Sequence, residues 1–588
     1  MLMQETTSRP FSNASSLALA AVVATLCACS AGGAPKVPPA QPDQQRYEDG
    51  QTQDLVTLVN DAAKVVEADG EAAFAGFRVP DSRWRKGDDY IFVLDPEGNM
   101  LVHPDRAMEG KNQLDLKDIN GRPIIWGLLH AATAMPGKTE GWYHYQWPVP
   151  GGILPRWKSS YVRIATAPSG KRFVVGSGVY TDRMEKAFVV DMVKDAVGHV
   201  EKIGDAAFPL FRDRTGPFLA KDAYVFVIDP SGVEFVNPAF PSLEGRDLLD
   251  VKDTQGKHLV REMLEVAETR GSGWVDYMWP KPGDSVSTQK STYVSRANVA
   301  GKWQLVGCGV YLADAPRAAP GAGKMTAPQL MALVREGAAV FEQRGEKAYP
   351  DFRTKGSKWF RDDTYFIVYT MEGIRSFNAA NPDIEGQDVS GTTDALGRPY
   401  GRMFLDVAAG PSGEGWVHYM YPEPGDIFPT WKSVFLKRVS SPFGKQHFIG
   451  AGIYNMQMDK AFVEDVVDRA AALVAERGKG AFGQLREKTG PFVFMDTYVF
   501  VDTPDGTEVV NPAHPSLEGT NIRDLRDVKG KALAREYIAA AMKSGSAWVE
   551  YYWYRPGHNT PSRKQAYVRK VRSGKDTYVV GSGIYLEE

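Results

Sequence analysis

Little in this 588-residue chain points to covalent or metal chemistry. It has 3 cysteines, and two of them, Cys27 and Cys29, stand together near the N-terminus. No cysteine pair recurs further on, and neither His144 nor His418 has a second histidine three or four residues away, so a zinc or iron site is unsupported. There is no glycine-rich phosphate loop and no Gly-x-Ser-x-Gly elbow, which leaves neither a cofactor nor a catalytic apparatus to point to. A basic excess is missing too: 69 Lys and Arg stand against 72 Asp and Glu, a net charge of −3, which argues against a nucleic-acid partner. The apolar run from Leu17 to Ala28 is too short to span a bilayer comfortably. What is present in ordinary amounts, 43% hydrophobic and 24% charged residues, suits a soluble globular chain divided into several domains.

The N-terminus reads as a targeting segment, residues 1–29. Its end, Leu26-Cys27-Ala28-Cys29, resembles a bacterial lipobox, with Cys29 as the lipidated residue; a cleaved signal peptide or an uncleaved anchor are the alternatives. Residues 30–53 are rich in Pro, Gln, Ala and Gly, a composition of extended tethers. Such a chain faces the periplasm or the secreted side of a bacterial envelope and meets the membrane through its lipid alone. With Cys27 removed and Cys29 acylated, Cys308 cannot form an internal disulfide.

The most informative feature is repetition. Trp142, Trp274, Trp416 and Trp548 are separated by 132, 142 and 132 residues, and Lys158, Lys290, Lys432 and Lys564 keep the same series. Tyr145, Tyr277, Tyr419 and Tyr551 keep it as well. The ten extra residues in the middle coincide with a Pro/Gly/Ala stretch, a linker at 314–326. Repeats one and three share Trp157-Lys158 and Trp431-Lys432. Repeats two and four share Thr215-Gly-Pro-Phe218 and Thr489-Gly-Pro-Phe492. The order is A-B-A-B, most simply a duplicated pair, with repeats at 54–185, 186–313, 327–459 and 460–588.

Each repeat opens with a helical stripe such as Phe188, Met192, Ala196 and Val200. An apolar strand follows and turns at Asp95-Pro-Glu-Gly98 or its equivalent; then come a shorter helix, a Trp-led strand, a Lys-bearing strand, and a closing strand ending Gly176-Ser-Gly-Val-Tyr180 or its kin. That order predicts an α+β domain, a long N-terminal helix with a central antiparallel sheet.

These residues together resemble the single Cache (type 2) extracellular sensor domains, which have a PAS-like fold. The likeness rests on Tyr90-Ile-Phe-Val-Leu-Asp95 with Gly98, His103-Pro104, Trp142, Lys158-Ser-Ser-Tyr161 and Gly176-Ser-Gly-Val-Tyr180. It implies four tandem domains, each with a pocket on one face of the sheet for small ligands such as short carboxylates or amino-acid-like molecules. Such domains usually sit between membrane helices with a signalling module attached. Here no second span or transmitter is visible, which leaves signal relay to a separate receptor or kinase.

A pocket for an organic anion needs a fixed cation, neutral donors and an apolar wall. Candidates recur in every repeat. Arg78, Arg212, Arg353 and Arg486 stand twelve residues before Tyr90, Tyr224, Tyr365 and Tyr498, and arginine's planar fork suits a carboxylate. The lysine and tyrosine series supply the rest, with Lys158, Tyr145 and Tyr161 as the leading set in repeat one, Trp142 as a wall, and Trp84, Trp147 and Trp157 as shielding. Each has a plainer alternative: a helix-end salt bridge for the arginines, a solvent-reaching or acid-paired ammonium for the lysines, core packing for Trp142. Glu109, Glu244, Glu385 and Glu518 precede glycines and read as turn residues, and Cys308 as a small buried filler. The expectation is a lipoprotein that binds small organic, carboxylate-containing ligands as a sensor or capture protein and is not an enzyme; an envelope scaffold without ligand binding is the alternative.

Overall fold

The computed structural model describes residues 47–149, 154–284, 286–312, 325–424 and 429–586. The expected signal segment with Cys29, the tether as far as residue 46 and the linker as far as residue 324 lie outside them. Residues 50–53, read above as the end of the tether, instead form the first turn of a helix.

Each repeat starts with a long helix: Gly50–Asp69, Lys186–Ile203, Ala327–Arg344 and Lys460–Arg477. The first is capped by Asp49, whose side chain accepts from the Gln51 N–H at 2.9 Å, and buries Val56, Val59, Ala63 and Val66 on one face. The third opens on a capping box, Thr326 with Gln329. All four stop at a glycine with positive φ, Gly70, Gly204, Gly345 and Gly478, whose N–H returns to a carbonyl of the last turn.

Behind each helix stands an antiparallel sheet. In repeat 1 the order across it is Met100–Val102, Phe92–Leu94, Arg172–Tyr180, Pro155–Thr166, Glu140–Pro148. Repeats 2 and 4 have the same order, and repeat 3 extends the first strand to Thr364–Thr370. A shorter helix, Ile124–Thr133 in repeat 1, covers the opposite face; its counterparts are Leu259–Arg270, Tyr400–Ala409 and Leu533–Ser544. The result is the helix–sheet–helix α+β domain that the element order predicts.

The two faces are built differently. On the long-helix face one continuous core runs through repeats 1 and 2, from Leu55 to Val310; the core of repeats 3 and 4, from Ala327 to Ile584, is continuous as well and in repeat 3 also takes in the short-helix face. The link is the helix of the following repeat: Phe188 packs 4.4 Å from Trp142, and Phe462 packs 4.6 Å from Trp416. Burying one such side chain contributes about 1.5–3 kcal/mol. On the short-helix face, repeats 1 and 2 each have a core of their own.

An arginine fastens each pair. Arg122 donates to the carbonyls of Gly216 (2.8 Å), Arg214 (3.1 Å) and Leu219 in the next repeat and lies over the Trp157 ring. Arg398 reaches Gly490 (3.0 Å) and Val493 in the same way, over Trp431. This accounts for the A-B-A-B signature: the A repeats keep Trp-Lys because the tryptophan supports the arginine, and the B repeats keep Thr-Gly-Pro-Phe because that turn presents the carbonyls. It also accounts for His144 and His418 standing where B repeats have Asp276 and Glu550. In the A repeats the next helix covers this position, so a neutral imidazole bonded to Ser159 or Ser433 (2.9 Å) fits. Glu550 has no such cover and pairs with Arg563.

Candidate functional site: a tyrosine-lysine row beneath the short helix

Strand register brings three of the recurring residues into one row. Tyr145 stands opposite Lys158, and Lys158 opposite Tyr180. The same row is Tyr277, Lys290, Tyr311 in repeat 2, Tyr419, Lys432, Tyr454 in repeat 3 and Tyr551, Lys564, Tyr585 in repeat 4. A fourth residue completes it from the first strand. Lys158 Nζ donates to the Tyr90 hydroxyl at 2.7 Å, and the equivalent bonds to Tyr224, Tyr365 and Tyr498 are 2.9, 2.7 and 3.3 Å. The ammonium also sits over aromatic faces, 3.9 Å from the Tyr90 centroid in repeat 1 and 4.0 Å from Tyr365 in repeat 3, an arrangement that favours the charged form.

The lysine stem needs room, and a glycine provides it. A Cβ at Gly178 would stand 2.6 Å from Lys158 Cε and 2.3 Å from Ser160 Oγ. Gly309, Gly452 and Gly583 are as close to their lysines. The closing Gly-x-Gly-x-Tyr thus admits the lysine beneath the sheet surface and then adds the terminal tyrosine of the row.

These lysines are at most 2% exposed. Removal from water lowers their pKa to about 7 for Lys158, Lys432 and Lys564 and to about 8 for Lys290. Aspartates just before the first tyrosine, Asp88 and Asp89, Asp222, Asp363 and Asp496, oppose the shift through space. Among the described residues neither Lys158 nor Lys432 is ion-paired with a carboxylate. Each is a buried, titratable cation held by neutral hydroxyls.

Cavities open on this row in repeats 1 and 3. The first is lined by Tyr90, Met100, His103, Ile125, Tyr145 and Trp147 among others. The second is lined by Lys432, Tyr365, Tyr369, Arg375, Tyr400, Tyr419 and Tyr421 among others. Opposite the lysine the four repeats differ. The residue that opens the strand after the first turn is Met100, Glu234, Arg375 or Glu508. In repeat 2 the Phe240 ring stands edge-on to both Tyr224 and Trp279. In repeat 4 His514 does the same with Tyr498 and Trp553.

The structure therefore gathers the lysine series, the tyrosine series from Tyr145 to Tyr551, and Tyr90. It does not gather the rest of the expected set. Trp142 and Tyr161 lie on the long-helix face, with ring centroids 5.2 Å apart, because successive strand residues alternate faces and Tyr161 is an odd number of positions from Lys158. The arginines are also elsewhere. Arg78 Nε is 3.2 Å from Glu109 and Nη2 donates to the Leu101 carbonyl at 2.7 Å. Arg212, Arg353 and Arg486 pair with Glu244, Glu385 and Glu518. Each glutamate also accepts a backbone N–H at the end of the next strand, as Glu109 does from His103 at 3.0 Å. The pair is a clamp tying the helical segment to the following turn, so these glutamates do more than shape turns. Of the three shielding tryptophans only Trp147 lines the cavity; Trp84 packs on Phe77 and Trp157 on Arg122. Tyr180 and its equivalents, Arg375, Glu234 and Glu508 also stand at this row, although none of them belongs to the cation series that all four repeats share. Cys308 is a buried filler beside Met192, 3.7 Å from its sulfur, with a thiol that burial pushes up to about 12.

Family models match nearly the whole described chain. Residues 60–195 and 352–468 match the single Cache domain 2 model, and residues 200–318 and 481–588 match a Cache domain model. The chain belongs to the Cache-domain family. The two models alternate along the sequence in the A-B-A-B order. Curated relatives include the methyl-accepting chemotaxis protein McpP of Pseudomonas putida, 34% identical over 93 residues, which are 16% of this chain and 17% of McpP. The sensor histidine kinase MctS of Rhizobium johnstonii is 36% identical over 106 residues, 18% of this chain and 22% of the kinase. The Cache chain thus spans about a fifth of each relative's length. A solved Cache chemosensory domain described as recognising carboxylic acids is 28% identical, covering 21% of this chain and 91% of that one, with a TM-score of 0.19. Among the described residues no helix is long and apolar enough to cross a membrane.

Proposed function

We propose that this protein is an envelope-held sensor or capture protein, not an enzyme, and that its repeats 1 and 3 bind small organic carboxylates. The observation that carries this reading is a buried lysine without a carboxylate partner, which lines the cavity of repeat 3 and in repeat 1 is bonded to Tyr90, a residue of the cavity wall. Burying an ammonium without a counter-ion is expensive. A ligand carboxylate supplies the missing charge, with the tyrosine hydroxyls beside it as neutral donors. Lys158 and Tyr145 hold it in repeat 1, and Lys432 and Tyr419 in repeat 3. The relatedness to a chemoreceptor and a sensor kinase supports a sensory role, with relay through a separate receptor or kinase. The domain boundaries that go with this reading are 54–185, 186–313, 327–459 and 460–588, with Cys29 as the lipid anchor and residues 314–326 as the link between halves.

Calorimetric titration of the chain from residue 30 onward with short carboxylates tests it. Binding is expected in the wild type, to be weakened at one site by Lys158→Met, at the other by Lys432→Met, and to vanish with both. Carboxylate binding that survives the double substitution overturns the assignment. Replacement of Cys29 by Ala is expected to release the full chain from membranes.

A further inference from the structure

Repeats 1 and 3 share the lysine and its tyrosines but not the wall that faces them, and the differences are coordinated. Where repeat 1 places Leu94, Met100 and Ile124, all buried and apolar, repeat 3 places Tyr369, Arg375 and Tyr400. Three positions on three different elements have gained polar groups together. Arg375 is 5% exposed. Its Nε donates to the Tyr369 hydroxyl at 3.1 Å and its Nη1 to the Ile384 carbonyl at 3.3 Å, which leaves donors of the guanidinium fork to spare. Arg375 and Lys432 line the same cavity, and among the described residues neither is ion-paired with a carboxylate. The Arg375 charge is one of the influences that bring Lys432 down, while Arg375 itself, though burial opposes it, is held above its usual range by Tyr369 and the neighbouring tyrosines. A fold does not keep two buried cations side by side without return.

We infer that the repeat 3 pocket takes a short dicarboxylate, one carboxylate on Lys432 with the Tyr419 hydroxyl and the other on the Arg375 fork, whereas the repeat 1 pocket takes a monocarboxylate with an apolar tail. This rests on the reading of both pockets as carboxylate sites and adds the charge of the ligand. Arginine suits the second position because its planar fork engages both oxygens of a carboxylate, and the bonds are charge-assisted. The hydroxyls of Tyr369 and Tyr400 keep that end of the cavity polar. In repeat 1 the same end is Met100 and Ile124, which accept a hydrocarbon chain and leave a second carboxylate unpaired.

The test uses the chain from residue 30 onward with Lys158→Met, so that repeat 3 is read alone. It is titrated calorimetrically with the dicarboxylates from malonate to adipate and with the monocarboxylate of matching length for each. At least one diacid is expected to bind about tenfold or more tighter than its matched monoacid. Adding Arg375→Met, the residue of repeat 1, is expected to weaken the diacid about ten- to hundredfold and the monoacid less than about threefold. Arg375→Lys, which keeps the charge and loses the fork, is expected to fall between; it serves in place of Arg375→Met if that variant unfolds. If monoacids bind in a Lys432-dependent way and no diacid binds better, this inference is overturned while the carboxylate reading stands. If no acid of either series binds in a Lys432-dependent way, both fall.

Discussion

In repeats 1 and 3 the lysine at the centre of the sheet looks across to Met100 or Arg375; in repeats 2 and 4 it looks across to a buried glutamate, Glu234 or Glu508. Each glutamate takes one hydrogen bond on Oε1, from Asn237 at 2.9 Å or Asn511 at 2.6 Å, and its Oε2 is buried with no hydrogen-bond partner. Burial pushes Glu234 up to about 8 and Glu508 well above the carboxylate range. The B repeats thus carry a buried carboxylic acid at the position where the A repeats have Met100 or Arg375.

The strongest way to break this comparison is to separate A from B. Arg398→Ala leaves two carbonyls of repeat 4, those of Gly490 and Val493, without their charged donor, at a cost of about 3 kcal/mol or more in denaturant unfolding. Its B-repeat counterpart Lys257 bonds the Asp276 carbonyl and pairs with Glu262, both in its own repeat, from a side chain 32% exposed, and Lys257→Ala should cost less than about 1 kcal/mol. Equal losses from both would show that the arginine does not couple the pair. Next in size, Lys158→Met should lower carboxylate affinity about ten- to hundredfold, 1.4 kcal/mol being a factor of ten, whereas Lys290→Met should leave it unchanged because Glu234 stands in that repeat where repeat 1 has Met100.

The pH dependence sharpens the contrast further. An anion binds the protonated lysine, and without ligand Lys158 and Lys432 lose their proton near pH 7. Affinity should be level just below pH 7 and fall about tenfold per pH unit above it, with proton uptake measurable by calorimetry in buffers of different ionisation heat. A further effect is expected at Glu234. Its pKa is raised on folding, so the native state holds the proton longer than the unfolded chain does. Its contribution is complete below the unfolded value of about 4.3 and is lost as pH rises through the folded value of about 8. Glu234→Gln should match the wild type near pH 4 and exceed it at about pH 8.5; an unchanged difference across that range would place Glu234 in contact with water.

Much of this was legible in the sequence, and the misses have physical reasons. The lysine and tyrosine stations, the helix-then-strands plan and the glycines of the closing strand are local patterns repeated in register, so the row they form follows from the pairing of neighbouring strands. Tyr161 and Trp142 were misplaced by overlooking parity, since a residue three positions from Lys158 on one strand must point the other way. The arginines recur as regularly as the lysines because a clamp is as indispensable to the fold as a pocket is to function, and spacing alone does not tell the two apart. Arg375 escaped for the opposite reason. A search for what all repeats share cannot see the residue that only one of them carries.

The cores shared within each pair bear on how the molecule would respond to force. Pulled apart from its two ends, a string of four self-contained beads would yield four times, each at its own load. Here the helix of the second repeat is a wall of the first, and that of the fourth a wall of the third, so neither partner can extend without stripping the other. The two repeats of a pair should therefore rupture together rather than one after the other, and tension on the chain would reach the pockets of a pair together.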